Sequence, residues 1–594
     1  MRRRVPLILA ACVLAVLGLS AGSAAAATVT VFGHNGRTHV INNPYLTGPA
    51  ADPALPVGPV TGPILALPVE PATTSPFALF PSPLALLPSP APFASVRAPL
   101  ARIARARRAA PAKKTKKKPK PVTFLQALLN LRNKGTLDAA DYQRDVQAWN
   151  QAISEQRHVT KWRAAQLGGA TATLDELAAD KQVTVARLPV LMLTLRNNTS
   201  YWKTGPALGD GASVQFQGSE LVWEYYAGSG IQLQVLHTFG EGDGYYEAGR
   251  AAYSKLATLM NEMVPLAVRR GGGLAWEYYF NWEGGKPPWV SAMAQATGLE
   301  ALTDAYLATG NSQYLTDAHE ALPLLETAPP TGVAVKTALG TRYLQYSFTP
   351  NTDIINAFLQ TLLGLYDYEQ VSRDPTASAL YTAGNRQAQA ELRSFIVGGW
   401  SLYQAGAADS LSYHTLVTGF LKLLCQKTQG PAYCTTYQRF EADLLTRPQL
   451  TLETTRAIAG KRFDLNFKLS KYAAVGVTLN QHAKTYIYEK RSFFAGTRSL
   501  LAPKLKSGTY SLTMSVTDPV GHYAKLTTGL QVCKKTCPAQ PYAIKPTTGT
   551  PPTVTVPIPA PTNTGTTTTP TSPTSTSTTP TGTSTTGGGG IGPP

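Results

Sequence analysis

The sequence predicts a multidomain, mainly α-helical chain: an α/α toroid or barrel with a β-hairpin and strand insertion, followed by a small β-sandwich, with disordered ends. Three observations carry this. Between Tyr253 and Thr446 apolar residues recur at helical spacing in paired segments joined by Gly, Asn or Pro turns, a pattern that suits a ring of helical hairpins. Over Ala212–Phe239 and again over Arg462–Val532 the period shortens to alternation, the mark of strands. Both ends are rich in Pro, Ala, Thr, Ser and Gly, compositions that bury no core.

Taken in order, Met1–Ala27 reads as a signal peptide, with Arg2–Arg4, an apolar run Val5–Leu19 and an Ala-rich cleavage region. Leu9-Ala-Ala-Cys12 resembles a lipoprotein cleavage box, so an anchor at Cys12 is the alternative. The chain is therefore expected to be secreted or cell-wall associated. Residues 28–121 are assigned to a Pro-rich and basic linker, mostly disordered, that opens with a short strand and turn at Thr28–Asn43. Residues 122–448 form the expected helical domain. Its later helices are expected over Tyr253–Val268, Thr297–Ala308, Ser312–Leu325, Asp353–Val371, Ala377–Phe395, Thr415–Gln426 and Ala432–Leu445, with Asp353 as an N-cap. Ala227-Gly-Ser-Gly, between two alternating runs, predicts a hairpin. Residues 449–537 are expected to form the sandwich, an immunoglobulin-like one, since Ser507–His522 resembles the closing strands of such a bacterial domain, and 538–594 a Thr/Pro/Ser/Gly-rich tail.

With 594 residues the chain is too long for one core. The net charge of +19 is concentrated: eleven cations lie in Arg97–Lys120 with no acid among them, and three more are Arg2–Arg4. This is a local tract, either a solvated spacer or a segment whose partner outside a cell is an anionic wall polymer or lipid headgroups; no nucleic-acid partner is expected, and a homodimer stays open. Cys425 with Cys434, and Cys533 with Cys537, form close pairs without zinc-site spacing. Local disulfides suit an oxidising compartment. No cofactor is expected; a structural calcium ion stays open.

No nucleotide loop, zinc signature or nucleophile elbow occurs. The informative stretch is Tyr343–Asp367, a polar and aromatic loop ending at Pro350 and Thr352, followed by a helix with Ile354, Phe358, Leu362 and Leu365 on one stripe. Such a junction either packs a core or holds reactive side chains rigidly in a cleft. Tyr346, Tyr403 and Tyr413 stand in predicted loops, Tyr413 beside His414. A lone loop tyrosine is more often a packing residue with a satisfied hydroxyl.

Three motifs in order point further. Trp289-Val-Ser-Ala-Met-Ala-Gln295, with Tyr306-Leu-Ala-Thr-Gly after it, resembles the Trp-Tyr-Ser-Ala-Met-Ala-Gln segment of D-glucuronyl C5-epimerases. Gln345-Tyr346 with Thr349-Pro350, Asn356 and Gly364-Leu-Tyr-Asp367 is similar to that family's Glu-Tyr-Pro-Thr-Thr-Pro…Asn…Gly-Leu-Tyr-Asp. Tyr413-His414-Thr415 resembles its Tyr-His-Thr-Thr-His. The hairpin Gly218–Tyr226 belongs to the same comparison. The resemblance implies inversion of C5 in a uronic acid within an acidic polysaccharide. It implies catalytic roles for Tyr346, Tyr403 and Tyr413, and substrate contacts from Arg342, Gln345, His414, Asn356, Trp289 and Gln295. Two departures stand out: the family's glutamate is Gln345, and the second histidine is Val417.

The chemistry makes its own demand. The C5 proton lies beside a carboxylate, so its removal builds charge next to charge. One group takes the proton from one face and another returns one to the opposite face. An unperturbed tyrosine, with a pKa of about 10, needs a cation to act as a base, and Arg342 and Lys286 are the local candidates. A neutral amide at 345 takes no proton. Three readings therefore stay open: a C5-epimerase, a uronate lyase that expels the C4 substituent, and a non-catalytic glycan-binding wall protein.

Overall fold

The computed structural model describes residues 28–42 and 120–538. The expected signal peptide, nearly all of the linker and basic tract, and nearly all of the tail lie outside the described residues. Twelve α-helices occur among those described: α1 Phe124–Asn133, α2 Ala139–His158, α3 Lys161–Ala179, α4 Leu188–Thr204, α5 Val235–Glu247, α6 Tyr253–Met263, α7 Ala292–Thr309, α8 Gln313–Glu326, α9 Ile355–Ser372, α10 Pro375–Glu391, α11 Leu411–Thr428 and α12 Pro431–Leu445. Along one layer α5 packs on α7, α7 on α9, and α9 on α11. Each is followed by an outer helix packed against it: α6, α8, α10 and α12. The fold is thus built of α/α hairpins with small β elements between them.

Burial separates the two layers. Every residue of α9 from Ile355 to Leu365 is buried, as suits a helix enclosed on all sides. Outer α6 buries only a stripe, Leu256, Leu259, Met260 and Met263. Gly364 lets α7 and α9 meet, since a Cβ there would lie 2.2 Å from the Ala296 carbonyl oxygen. Helix ends follow local chemistry. The Ser291 hydroxyl accepts from the Ala294 N–H and starts α7 earlier than periodicity suggested. Gly310, with φ +76, ends it. α6 stops before the expected Val268, because Pro265 lies in a 3₁₀ turn, Val264–Leu266. Asp353 does not cap α9; Ile354 holds that position, and the Asp353 carboxylate lies 2.7 Å from Arg342 Nε.

The predicted hairpin is present as Val222–Tyr226 and Gly230–Leu233. It belongs to a five-stranded sheet ordered 38–42, 28–32, 213–216, 222–226, 230–233. Residues 28–42 are therefore part of the fold, which corrects their assignment to the linker. Thr28–Phe32 runs parallel to Ser213–Phe216, with Phe32 opposite Phe216. Phe32 is buried against Tyr201, ring centroids 5.0 Å apart. Sequence reading missed this because parallel pairing joins residues far apart in the chain.

Residues 450–533 form two sheets, one of three strands and one of five, sharing a single apolar core that includes Phe467, Val475, Leu512 and Leu530. Lys471 anchors this module to α12. Its buried ammonium pairs with Asp518 at 2.7 Å and donates to the Asp443 and Thr446 carbonyls. The module also presses on the loop leading to Tyr403: a Cβ at Gly398 would lie 2.2 Å from Ala495 Cβ, and one at Gly399 2.4 Å from Lys471 Cβ. Disulfides join Cys425 to Cys434, across α11 and α12, and Cys533 to Cys537.

Candidate active site

The segments that enter α5, α7, α9 and α11 meet one another. Tyr346 precedes α9, Tyr403 lies on the strand Leu402–Gln404 before α11, and Tyr413 is in the first turn of α11, where the Ser410 hydroxyl accepts from its N–H. The Tyr403 and Tyr413 rings lie 4.9 Å apart. The Tyr403 and Tyr346 hydroxyls interact, and Trp282 Nε1 donates to Tyr346 at 3.3 Å. The structure thus brings the three predicted tyrosines together. All three rings are largely buried.

Burial is the first cause that pushes each of these phenols above its ordinary pKa, and nearby acids add to it. Glu283 acts on all three, and Glu224 also on Tyr413. The cluster is therefore a set of protonated donors. The cations expected to make a tyrosine basic are engaged elsewhere. Arg342 is ion-paired with Glu391 at 2.6 Å and with Asp353. Exposed Lys286 faces Glu176 and Asp180.

Several other expected contacts prove structural. The Trp289 ring is buried, stacks on Tyr278 at 4.1 Å and donates its indole N–H to the Phe280 carbonyl. Gln295 clamps the backbone of Trp276 at both its N–H and its C=O. Asn356 is buried beneath the loop, its amide 4.0 Å from Met293 Sδ. His414 is wholly buried and stacked on Trp400 at 3.9 Å. Its Nε2 meets the Phe440 carbonyl and its Nδ1 meets the Ser401 hydroxyl, which also bonds Asp409. Burial lowers His414 to about 4 and raises Asp409 to about 7. Ser401 thus links the Asp409 carboxyl to the His414 ring, while Asp409 Oδ1 has no hydrogen-bond partner among the described residues. Gln345 is different: it is buried beside Tyr346, and its Oε1 has no hydrogen-bond partner among the described residues.

Sequence reading missed the carboxylates and the roof. Trp282-Glu-Gly-Gly285 is a tight turn in which Glu283 has φ +46 and Gly284 φ +84, the geometry of a type I′ hairpin turn. The backbones of Trp282 and Gly285 bond each other both ways. A Cβ on Gly285 would lie 2.4 Å from the Phe348 ring, and that ring stacks on Tyr346. The preceding strand-like segment is fixed by buried Glu277, which accepts from Arg187, Arg270 and Tyr279. Although burial opposes its charge, the two guanidinium groups outweigh that and lower its pKa. The other neglected group is on the hairpin. Glu224 accepts from Tyr226 at 2.8 Å and bonds His237 Nδ1 at 3.0 Å. Tyr226 stacks on Phe280 and meets Trp282 edge-on. Gln234 donates to Tyr226 and accepts from Tyr278.

A second acidic group occupies later turns of the same inner helices: Asp243 and Glu247 on α5, Glu300 and Asp304 on α7, Asp367 on α9. Lys427 of α11 lies 2.9 Å from Asp367. Burial first, and mutual repulsion second, raise Asp243 and Asp304, and take Glu247 to about 9 and Glu300 to about 8. Among the described residues no group of three or more His, Cys, Asp or Glu is arranged to hold a metal ion. Nor is any described helix long and apolar enough to cross a membrane.

Residues 270–442, which carry the three tyrosines, match the family described as D-glucuronyl C5-epimerase C-terminus. The likeness to that family is confined to this segment. A D-glucuronyl C5-epimerase of Caenorhabditis elegans is 32% identical over 157 residues, which is 23% of this chain and 26% of the relative. The chain thus spans about a quarter of that relative's length. Weaker likenesses link the chain to solved structures: a cellobiose 2-epimerase from Bacillus thermoamylovorans (11% identity, TM-score 0.28, 43% of this chain and 71% of that one) and an endo-β-1,4-glucanase from Acetobacter xylinum (12% identity, TM-score 0.27, 36% and 70%). At these scores they carry no argument about the epimerase-family segment.

Proposed function

We propose that the protein is a carbohydrate epimerase that inverts C5 of glucuronate units in an acidic polysaccharide outside the cell. The observation that carries this reading is the meeting of Tyr346, Tyr403 and Tyr413, from a loop, a short strand and a helix start, inside the family-matched segment. Their phenols, held protonated, donate to the substrate carboxylate and deliver a proton to C5. Breaking the C5–H bond leaves an electron pair that spreads into the carboxylate as an enediolate, and three donors in a water-poor site stabilise it. Gln345 Oε1 accepts from a sugar hydroxyl. Glycan access requires the Trp282–Gly285 turn to swing away from Phe348. We assign the leader to secretion, the basic tract to an anionic wall polymer, and residues 449–537 to an immunoglobulin-like accessory module.

Incubation of the full chain with glucuronate polymers in heavy water tests this. Solvent deuterium is expected at C5, with loss of roughly 10²-fold or more in Tyr413→Phe. No deuterium across heparosan-like and other glucuronate polymers overturns it. Non-catalytic glycan binding is the second reading, favoured by Gln345 at the family's glutamate position; saturable binding without exchange selects it.

A further inference from the structure

We propose that His237, oriented by Glu224, is the base that removes the C5 proton, with Glu224 as its positioning residue. The inference rests on the epimerase reading above and fills a gap in it. Inversion needs a base on the face opposite the acid, and the phenols, all held protonated, serve as acids. Gln345 accepts no proton, and Arg342 is committed to Glu391 and Asp353.

His237 meets the requirement by its bonding. It lies in the first turn of α5, and its Nδ1 is 3.0 Å from Glu224 Oε1. Glu224 is wholly buried, and its other oxygen accepts from Tyr226. A carboxylate at Nδ1 fixes the tautomer with the proton on that nitrogen and leaves Nε2 with its lone pair. Nε2 is buried and has no hydrogen-bond partner among the described residues. A buried unpaired ring nitrogen is costly unless a ligand meets it. The dyad also adjoins the phenols. Tyr226 links Glu224 to Trp282, which donates to Tyr346, and the Glu224 charge is felt at Tyr413.

The step balances. The C5–H bond breaks, Nε2 takes the proton, and the electron pair moves into the substrate carboxylate. A phenol then gives its proton to C5 from the opposite face. The imidazolium, stabilised by Glu224, and the phenolate return to their starting forms by exchange with solvent. One solvent proton therefore enters C5 for each inversion, and no oxidant or reductant is needed.

Two acidic groups face the imidazole, Glu224 on the strand and Glu241 one turn on in α5, and they outweigh burial to hold its pKa above the ordinary value. The test combines exchange rate, pH profile and folding. In His237→Gln, kcat for deuterium uptake is expected to fall roughly 10²-fold or more, with KM little changed. In Glu224→Gln, the acid limb of the kcat/KM profile should move to lower pH by about one unit, since the charge that favours imidazolium is gone. Circular dichroism melts of both variants check that they fold. If wild type exchanges and folded His237→Gln keeps more than half its rate with an unshifted profile, the assignment of His237 falls and the epimerase reading stands. Should wild type show no exchange on any glucuronate polymer, with or without binding, that reading fails and the inference with it.

Discussion

Glu283 sits in backbone territory that favours glycine and asparagine. Its φ of +46 costs a residue of this type on the order of 1 kcal/mol. A strained residue at a turn that packs on Tyr346 and Phe348 marks a position where the carboxylate is kept for its charge. In Glu283→Asn the turn is expected to relax, raising stability by about 1 kcal/mol in urea melts, while the change in charge beside Tyr346 shifts the pH dependence of turnover. An unchanged melting midpoint would show that the turn bears no strain. From sequence, Trp-Glu-Gly-Gly did not read as a turn of this kind, because the usual signal is Asn-Gly or Asp-Gly. The tyrosines were readable only through their flanking motifs. Glu224 lay within the compared hairpin Gly218–Tyr226 but with no role attached, His237 lay outside every motif, and only the hairpin's contact with α5 brings them together.

At the scale of elements, two buried charge sets behave in opposite ways. Glu277 holds the segment before α7 by accepting from Arg187 and Arg270. Its replacement by Gln leaves two cations facing each other and is expected to cost about 3 kcal/mol. Glu320→Gln, which breaks the exposed pair with Arg269, should cost about 0.5 kcal/mol or less; equal losses in chemical denaturation would refute this ranking. The carboxylates of α5, α7 and α9 instead retain protons in the fold. Glu247 and Glu300, at about 9 and about 8, bind protons that the unfolded chain releases above about pH 4.5. Their contribution is whole below that value and drains away as pH rises through 8 and 9. The melting temperature should therefore fall by roughly 5 °C or more between pH 6 and pH 9.5, and a flat profile would contradict it. Helix pairing was readable because apolar spacing survives in outer helices such as α6. Helix starts were not, because caps such as Ser291 act through one hydroxyl that periodicity ignores.

Across the whole molecule, the strand-rich module and the tyrosine site share a seam. Gly399, at φ +77, leaves room for Lys471, whose ammonium binds Asp518 and the end of α12. Gly399→Val is expected to destabilise the chain by about 3 kcal/mol, split the calorimetric melt into two transitions, and slow turnover by shifting Tyr403. A single, unshifted transition would deny the coupling. The module's existence was readable from alternation, whereas its grip on the loop before Tyr403 depends on a lysine that looks, in sequence, like any surface charge. The same limit hid the role of residues 28–42. That hairpin completes the sheet beside Ser213–Phe216, its partner from far along the chain. Joining two strands so far apart in the chain costs chain entropy, set against one buried ring, Phe32, and a short parallel ladder. The hairpin should thus be the first piece to let go on warming: hydrogen exchange at Thr30–Phe32 ought to quicken well below the temperature at which α7 and α9 open, freeing one edge of the sheet before the paired helices melt.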